Sequence, residues 1–273
     1  MNWKLSLLEV ALTVFLVGAG PSHAWGPQGH RVSAGYAEQL LSSPAREGVK
    51  GLLGAQTLAS ASTWADEMRG NPSVFWQDTA GPWHYVTVPA GQRYLELSAP
   101  PQGDALTAMS AFCATLLDPD ATLVSKQLAL RFTLHIIQDL HQPMHVGNGR
   151  DRGGNRIKLA LNGKTTNLHR VWDSAIIRHQ GLSDAAWVTL LAQASAKQRA
   201  QWGANSPPEW VAESAALRDR IYPTGNTLGN RYLEQYSQDT TGRLRLAGAR
   251  TATFVNGLFS QDPHCWTLGA GSN

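Results

Sequence analysis

Two short segments rich in histidine and aspartate constrain this chain more than any other sequence feature. The first contains His135, Asp139 and His145, and the second, after a glycine-rich stretch, contains His169 and Asp173. In each segment a histidine lies four residues before an aspartate, so on a helix both side chains project from one face, one turn apart. Apolar residues surround the first pair, and an unpartnered imidazole or carboxylate in such a setting is costly. The segments therefore predict buried ion pairs or metal ligands.

The residue types favour zinc. Imidazole nitrogen and carboxylate oxygen suit this ion, and no cysteine lies near either segment to suggest a structural thiolate site. Pro143 is predicted to end the first helix near Gln142, because its ring disfavours the helical conformation of the residue before it. His145 then lies on the turn beyond, from which its ring can point back at the same cavity. The pattern predicts a zinc site with catalytic character.

The N-terminal segment, residues 1–24, is typical of a secretory signal peptide. A basic residue precedes an apolar run over 5–18 with one acidic interruption, and small residues lead up to Ala24. The run is shorter than the roughly 20 residues that span a bilayer, so no membrane anchor is expected. The mature protein is predicted to begin at Trp25 and to be secreted or periplasmic. The free amino group and carbonyl of Trp25 could then chelate a metal, five residues before His30.

The composition of the chain excludes few classes of protein function. A formal net charge of +3 would help to attract a polyanion, but no basic run is long enough to indicate nucleic acid by itself. With 42% hydrophobic residues, the chain reads as an ordinary globular protein, and a single domain over 25–273 is expected. In an exported chain the two cysteines, Cys113 and Cys265, could form one disulfide that ties the C-terminal tail to a helix.

Apolar residues recur mostly at helical spacing, which predicts a helical bundle with the metal site between its helices. The predicted helices cover residues 30–41, 59–68, 104–117, 122–140, 182–202, 208–221 and 231–259. The exception is 155–168, where apolar residues alternate around Asn162 and Gly163, which predicts a short β-hairpin. Residues 89–103 are predicted to form a connecting loop.

Two further candidate ligands precede the main segments. Asp66 follows Trp64 on a predicted helix, and His84 begins an extended run over 86–88. Singly, each would more often be structural. Together with the others they complete a set of nine candidate ligands, enough for three ions with shared carboxylates. The nine are Trp25, His30, Asp66, His84, His135, Asp139, His145, His169 and Asp173.

The motifs that contain these residues resemble those of a known family, the secreted zinc-dependent single-strand-specific nucleases of fungi, plants and bacteria (nuclease type I). They are WGPQGH, STWAD, WHY, HIIQDLHQPMH, GGN and NLHRVWD, in this order from residue 25 to residue 173. More distantly, the chain is similar to the bacterial zinc phospholipases C, which share a helical fold and a mature N-terminal tryptophan. In those enzymes the last acidic ligand is typically glutamate, whereas here it is Asp173, which favours the nucleases.

The resemblance implies a mostly α, phospholipase C/nuclease-like fold and three Zn²⁺ ions. The first ion would be held by Asp66, His84, His135 and Asp139. The second would be held by His145, His169 and Asp173. The third would be bound by His30 and by the amino nitrogen and carbonyl of Trp25, with Asp139 as the bridge to the first. His141 falls at no ligand position and is expected beside the ligands or at the surface.

The activity implied by the resemblance is hydrolysis of single-stranded DNA and RNA to 5′-phosphate products by a monomer, with 3′-nucleotidase activity. Asp66 would also orient the attacking water or accept its proton. Tyr85 is expected to stack on a base, with Gly154 and Asn155 lining the pocket. In a structural alternative, Tyr85 lies in the core and Asn155 caps the hairpin. Thr87 replaces an acidic base-contacting residue of fungal relatives, so their base preference should not be transferred.

Two other functions remain open at this stage. A zinc phospholipase C is the enzymatic alternative, and Asp173 and the NLHRVWD motif count against it. A non-catalytic zinc-binding protein is the alternative from another class. Such a protein does not need shared carboxylates and a chelating N-terminus built into a buried cluster.

Overall fold

Helices dominate the part of the chain that the computed structural model describes, residues 25–266. The predicted signal peptide, residues 1–24, lies outside the described residues. The α-helices are α1 (Pro27–Gln39), α2 (Ser43–Leu53), α3 (Leu58–Ala61), α4 (Trp64–Glu67), α5 (Ala105–Leu117), α6 (Leu123–Asp139), α7 (Leu168–Arg170), α8 (Ile176–His179), α9 (Asp184–Leu191), α10 (Ala196–Gly203), α11 (Pro207–Arg218), α12 (Asn230–Gln235) and α13 (Ser237–Leu258). The predicted mostly α fold is confirmed.

Short strands and tight helical turns connect these helices. The strands are β1 (Val86–Thr87), β2 (Val146–Gly147), β3 (Lys158–Leu161), β4 (Lys164–Asn167) and β5 (Thr227–Leu228). Turns of 3₁₀-helix cover Met68–Gly70, Gly81–His84, Tyr94–Glu96 and Pro143–His145, and π-helical turns cover Phe75–Thr79 and Val171–Ala175. The predicted hairpin is β3–β4, with the left-handed residues Asn162 and Gly163 at its turn.

Helix α6 forms the centre of the bundle. The hydroxyl of Thr122 caps its first turn, and every residue from Phe132 to Asp139 is buried. The helices α5, α4 and α13 pack against it. Helix α1 packs between α13, α3 and α9, and it begins with Pro27 at its first position, where a missing N–H costs nothing. The largest apolar core surrounds α6 and the adjoining side of α1.

Three predicted helices are broken in the structure. The predicted helix over 59–68 divides into α3 and α4, that over 182–202 into α9 and α10, and that over 231–259 into α12 and α13. In the second case Ser195 begins a new helix, because its side chain caps α10 in a reciprocal capping box with Gln198. Apolar periodicity continues across such a break, so the capping residues are the better guide to the boundary.

Strand pairing beyond the hairpin was not predicted. Strand β1 pairs in parallel with β2, and β5 pairs in parallel with β3, over two residues each. The guanidinium of Arg218 on α11 is buried and donates to the carbonyls of Val88, Val146 and Gly147. This side chain therefore fixes the end of the β1–β2 pair to the helical bundle.

The predicted disulfide is present. Cys113 on α5 is bonded to Cys265, with Cα atoms 5.9 Å apart and 152 positions between them in sequence. The bond ties the C-terminal segment to α5, as expected for an exported chain.

A buried ionic network anchors the C-terminal end of α6. Glu213 on α11 accepts two hydrogen bonds of 2.7 Å from Arg250 and one of 2.8 Å from Arg243, both on α13. Arg250 also donates to Nε2 of His141, and Arg243 donates to the carbonyl of the same residue, just beyond the last turn of α6. Burial alone would raise the pKa of Glu213, but the two arginines outweigh it and lower the pKa to about 2. The carboxylate is therefore charged at neutral pH.

Replacing Glu213 by glutamine is expected to lower the free energy of unfolding by about 3 kcal/mol, because two buried guanidinium groups lose their counter-charge. Since the pKa of Glu213 is depressed in the folded state, this contribution is complete above about pH 4.5 and declines as the pH falls towards 2. Urea denaturation at several pH values measures it. Asp184→Asn, which breaks an exposed pair with Arg31, is the control and should cost about 1 kcal/mol or less. Equal losses in the two variants would contradict the role of the network.

Candidate metal centre

Helix α6 places two candidate ligands at its buried C-terminal end. His135 and Asp139 lie one turn apart on the same face, with His135 Nε2 3.1 Å from Asp139 Oδ2. The helix ends at Asp139, three residues before the predicted end near Gln142. The reason is a tightening of the chain: the N–H groups of His141 and Gln142 bond to carbonyls only three residues back.

Asp66 and His84 converge on this pair from separate elements. His84 Nδ1 lies 2.9 Å from His135 Nε2 and 3.2 Å from Asp139 Oδ2. Asp66, on α4, has Oδ1 3.7 Å from His135 Nε2 and 4.0 Å from His84 Nδ1. All four side chains are buried. The four residues expected to hold a first ion are thus brought together, and they are called the first cluster below.

A second cluster contains His145, His169 and Asp173. Their ligand atoms all lie within 4.8 Å of one another, and all three side chains are buried. His145 comes directly before β2, and its Nδ1–H donates to the carbonyl of His84, which precedes β1, so the parallel strand pair aligns the two clusters. His169 lies on α7, while Asp173 lies in the following π-helical turn rather than on a regular helix.

Asp139 faces a further ligand on its other side. Its Oδ1 atom lies 3.4 Å from His30 Nε2, whereas its Oδ2 atom faces the first cluster. The ring of His30 stacks on that of His135, with centroids 4.1 Å apart. This is the geometry that a bridging carboxylate requires.

Trp25 lies next to elements that carry other candidate ligands. The residue is fully buried, and the following Gly26 donates its N–H to the carbonyl of Asp173 and accepts at its own carbonyl from the N–H of His30. The backbone of Trp25 is therefore adjacent to α1 and to the turn that carries Asp173. Trp25 would have a free amino group only after removal of residues 1–24, which lie outside the described residues.

Hydrogen bonds orient the imidazole rings. The Nδ1–H groups of four histidines donate to oxygen atoms outside the clusters, at 2.6–2.7 Å. The acceptors are Gln138 Oε1 for His30 and the carbonyls of Ser62, His84 and Gly153 for His135, His145 and His169. With the proton held on Nδ1, the Nε2 lone pair is free to bind a cation, which is the usual arrangement of metal-ligating histidines. His84 is the exception, since its Nδ1 faces the first cluster.

Several buried ligand atoms have no hydrogen-bond partner among the described residues. They are His30 Nε2, Asp139 Oδ1, His145 Nε2 and Asp173 Oδ2. Buried polar atoms are normally satisfied, and four exceptions within one small region call for an explanation. A cation at each cluster would supply the missing interaction. Mixed nitrogen and oxygen donors, without sulfur, are consistent with zinc.

The ionisation of these groups agrees with this explanation. Burial lowers the pKa of His84 and that of His169 to about 3, so both rings are neutral and able to bind a metal at neutral pH. Burial also raises the pKa of Asp173 well above its usual range, and the hydrogen bond from Gln142 offsets this only in part. The positive charge of Arg69 also offsets it only in part, so a cation bound beside Asp173 would favour the charged carboxylate.

His141 is not available as a ligand, and it is not at the surface. Its ring is fully buried, its Nδ1–H donates to the carbonyl of Ile137, and its Nε2 accepts from Arg250. Both nitrogens are therefore used within the ionic network beside the clusters.

A cavity of about 490 Å³ opens onto the clusters and exposes His84, His145 and His169 at its wall. Tyr85 and Thr87 line one side of it, and Tyr85 is 45% exposed, so this ring is not part of the core. Arg152, Gly153 and Asn155 also line the cavity. The side chain of Asn155 donates to the carbonyl of Arg152 within this loop rather than capping the hairpin. Gly154 packs behind the wall, where an added Cβ would come within 2.6 Å of Met144 Sδ.

Arg69 lines the same cavity and was missed by the sequence analysis. Its Nε atom lies 2.8 Å from Asp66 Oδ1, and its side chain is 25% exposed. The sequence contained one indication of its position: Arg69 follows Asp66 by three residues, which places both side chains on one face of a helical turn. A cation that is exposed to the cavity and held by a candidate ligand can contact an anionic substrate.

The sequence model of the family described as S1/P1 Nuclease matches residues 25–260. The chain belongs to the S1/P1 nuclease family. It is 27% identical to Endonuclease 3 of Arabidopsis thaliana over 292 residues, which cover 95% of this chain and 97% of the relative. It is 30% identical to Nuclease P1 of Penicillium citrinum over 182 residues (62% and 66%) and 29% identical to Nuclease S1 of Aspergillus oryzae over 163 residues (56% and 54%).

Membership of the S1/P1 nuclease family makes the chain a metallonuclease, a hydrolase that acts on phosphodiester bonds in nucleic acid. Three groups of buried side chains lie close enough together to hold metal ions, and two of these groups share His135. They are His30 with Asp66 and His135, His84 with His135 and Asp139, and His145 with His169 and Asp173. Within residues 25–266, no helix is both long and apolar enough to cross a membrane.

The position of Asp139 between two sets of ligands predicts unequal effects of two aspartate substitutions. Asp139→Asn should lower the metal content by about two ions per chain, because both sets lose a ligand, whereas Asp173→Asn should lower it by about one. Elemental analysis of the dialysed protein measures the content. Asp184→Asn, on an exposed pair, should retain the full complement. Equal losses for Asp139→Asn and Asp173→Asn would contradict the bridging position.

Proposed function

We propose that this chain is an exported trinuclear-zinc phosphodiesterase that hydrolyses single-stranded DNA and RNA to 5′-phosphate products and also acts as a 3′-nucleotidase. One observation carries the proposal: two buried clusters and His30 meet around Asp139 at the foot of an open cavity that also holds an arginine and an exposed tyrosine. A site of this kind combines cation binding with contacts to a phosphate and a base.

The proposed ligands follow the clusters. Asp66, His84, His135 and Asp139 hold the first zinc, and His145, His169 and Asp173 hold the second. His30 and the amino and carbonyl groups of Trp25 hold the third, with Asp139 shared between the first and third. All of these groups belong to one chain, so the enzyme is proposed to act as a monomer.

The chain's own residues divide the chemistry between them. Bound zinc supplies Lewis-acid stabilisation of phosphate charge and lowers the pKa of the attacking water. Asp66 orients that water and accepts its proton, and Arg69, held by Asp66, binds a non-bridging oxygen of the phosphate. The water oxygen bonds to phosphorus as the bond from phosphorus to the 3′ oxygen breaks, and the 3′ oxygen takes up a proton from solvent and leaves as a hydroxyl. The phosphate stays on the 5′ oxygen of the next nucleotide, and a terminal 3′-phosphate presents the same ester to the site.

The cavity accounts for a preference for single strands. Tyr85 is exposed beside the metal clusters and offers a ring face on which an unpaired base stacks, while Asn155 and Gly153 form part of the cavity wall. A base within a duplex would have to leave its stack to reach the same position. Gly154 shapes this wall from behind. None of the proposed contacts uses the sugar 2′ position, so DNA and RNA are both expected substrates.

A zinc phospholipase C is the competing function. Asp173 in place of glutamate and the NLHRVWD motif favour the nuclease, as does the match of the nuclease family model to most of the chain. A non-catalytic zinc-binding protein would need neither an arginine held beside the clusters nor an open cavity that reaches them.

Purified mature protein is expected to cleave single-stranded DNA and RNA, to lose this activity on chelation, and to recover it with zinc. Asp66→Asn should lower kcat by about 100-fold or more, as loss of a positioned base does, and Asp184→Asn should not. Product end groups and cleavage of phosphatidylcholine are measured in parallel. Lipid cleavage without nucleic-acid cleavage would replace the nuclease by the phospholipase, and a zinc-loaded protein inactive on every substrate would support a binding protein. An Asp66→Asn variant with full zinc content and undiminished kcat would refute the role of Asp66.

The third site predicts that the N-terminus must be free. One extra residue before Trp25 converts its amine to an amide and should remove about one zinc per chain and most of the activity. A removable extension provides the control, since proteolysis that restores Trp25 as the first residue should restore both. Unchanged zinc content and activity with the extension in place would show that Trp25 does not bind metal through its amine.

A further inference from the structure

A loop with three arginines forms part of the rim of the metal cavity. It comprises residues 148–156, called the basic loop below, and carries Arg150, Arg152 and Arg156 within seven positions. All three side chains are exposed. None of them forms an ion pair within residues 25–266, whereas Arg31, Arg69 and the arginines of the ionic network all do.

The one acidic residue of the basic loop faces the interior. Asp151 is buried, its Oδ1 accepts from the N–H of Gly154 at 2.9 Å, and its Oδ2 accepts from the hydroxyl of Tyr222 at 2.6 Å. The arginines point away from this carboxylate to the surface. The loop therefore presents concentrated positive charge on a protein whose formal net charge is only +3.

The basic loop is held in register with the metal clusters. Gly153 accepts from Nδ1 of His169, and Arg152 and Asn155 line the cavity beside it. Arg156 donates to the backbone carbonyl of Arg150, which holds its guanidinium group near the start of the loop. Hydrogen bonds therefore fix the backbone of the basic loop beside the metal clusters.

Arg152 adopts a backbone conformation that is unfavourable for its residue type. Its φ is +57°, in the left-handed region where glycine is preferred. Strained residues of this kind persist where the surroundings hold them, and they concentrate at ligand sites. Here the residue with the strained backbone is an arginine that lines the cavity.

We propose that the basic loop binds the backbone phosphates of the substrate strand next to the scissile bond. Three like charges that form no ion pair within residues 25–266 are best stabilised by a ligand with regularly spaced anionic groups, which a nucleic-acid strand supplies. The inference rests on the proposed function. Arg150 and Arg156 should add little to the affinity for a substrate confined to the cavity, whereas all three arginines should add to the affinity for a longer strand.

Salt dependence measures the number of phosphate contacts. For single strands the logarithm of affinity falls with that of salt concentration by about 0.7 per contact. Each lost arginine should therefore reduce the steepness of the plot of log affinity against log salt concentration by about 0.7. This means that a tenfold change in salt concentration should change the affinity by roughly five-fold less than before.

The experiment uses the zinc-loaded mature protein and phosphorothioate-linked oligothymidylates of about four and about twelve nucleotides, two lengths within the range of common single-strand site sizes. Arg150→Gln with Arg156→Gln is compared with Arg46→Gln and Arg231→Gln, two exposed arginines that do not line the cavity. Both pairs of substitutions change the net charge equally. Fluorescence anisotropy gives affinity against salt, and cleavage of a 3′-mononucleotide and of a long strand is measured in parallel.

For the variant with Arg150→Gln and Arg156→Gln, we expect weaker binding of the long strand and a smaller dependence of affinity on salt concentration. Its cleavage of the 3′-mononucleotide should be unchanged. The control variant should show neither change in binding. Arg152→Gly distinguishes an effect on binding from an effect on folding, because glycine adopts a positive φ without strain. The melting temperature of this variant should be unchanged or higher, whereas its affinity for the strand should be lower. Equal behaviour of the loop and control variants would overturn the inference even if the wild type is a nuclease. Loop-dependent binding by a wild type that cleaves no nucleic acid would refute the proposed function and leave the phosphate site standing.

Discussion

The arrangement of the metal centre depends on the buried carboxylate of Asp139. One oxygen faces His30 on α1, and the other faces His84 and His135, so a single side chain joins ligands from three parts of the chain. Burial opposes its ionisation, but His135 and His145 outweigh that effect and hold its pKa well below the usual range. A charged carboxylate at this depth is costly unless cations accompany it. The helices around α6 are therefore packed about a candidate cation site.

Much of the surrounding structure keeps that carboxylate and its neighbours in place. The ionic network of Glu213, Arg243 and Arg250 holds the chain beyond the last turn of α6. Backbone carbonyls fix the orientation of three of the histidine rings, and the β1–β2 pair aligns His84 with His145. Because most of these contacts use backbone atoms or residues distant in sequence, a short motif cannot specify the site without the whole bundle. The family's match over residues 25–260 agrees with this requirement.

The elements predicted best were those with local signals. Helices α1, α5, α6 and α11 follow from apolar periodicity with a cap or proline at the start, and the hairpin follows from Asn162 and Gly163. The broken helices and the parallel strand pairs were missed, because packing between distant segments decides them. Arg69 was missed because its three-residue spacing from Asp66 is a common local pattern, and only the fold shows that its side chain lines the cavity.

By itself, the sequence determined which residues could bind a metal, their four-residue spacing on helices, and the disulfide partners, because these depend on residue type and local geometry. Tertiary structure alone decided that Asp139 faces two sets of ligands, that His141 belongs to an ionic network, and that Tyr85 and the basic loop line one cavity. Each of these facts is a distance between segments far apart in the chain. Such distances are set by how helices and strands pack. Short sequence motifs do not contain that information, because packing depends on the complete fold.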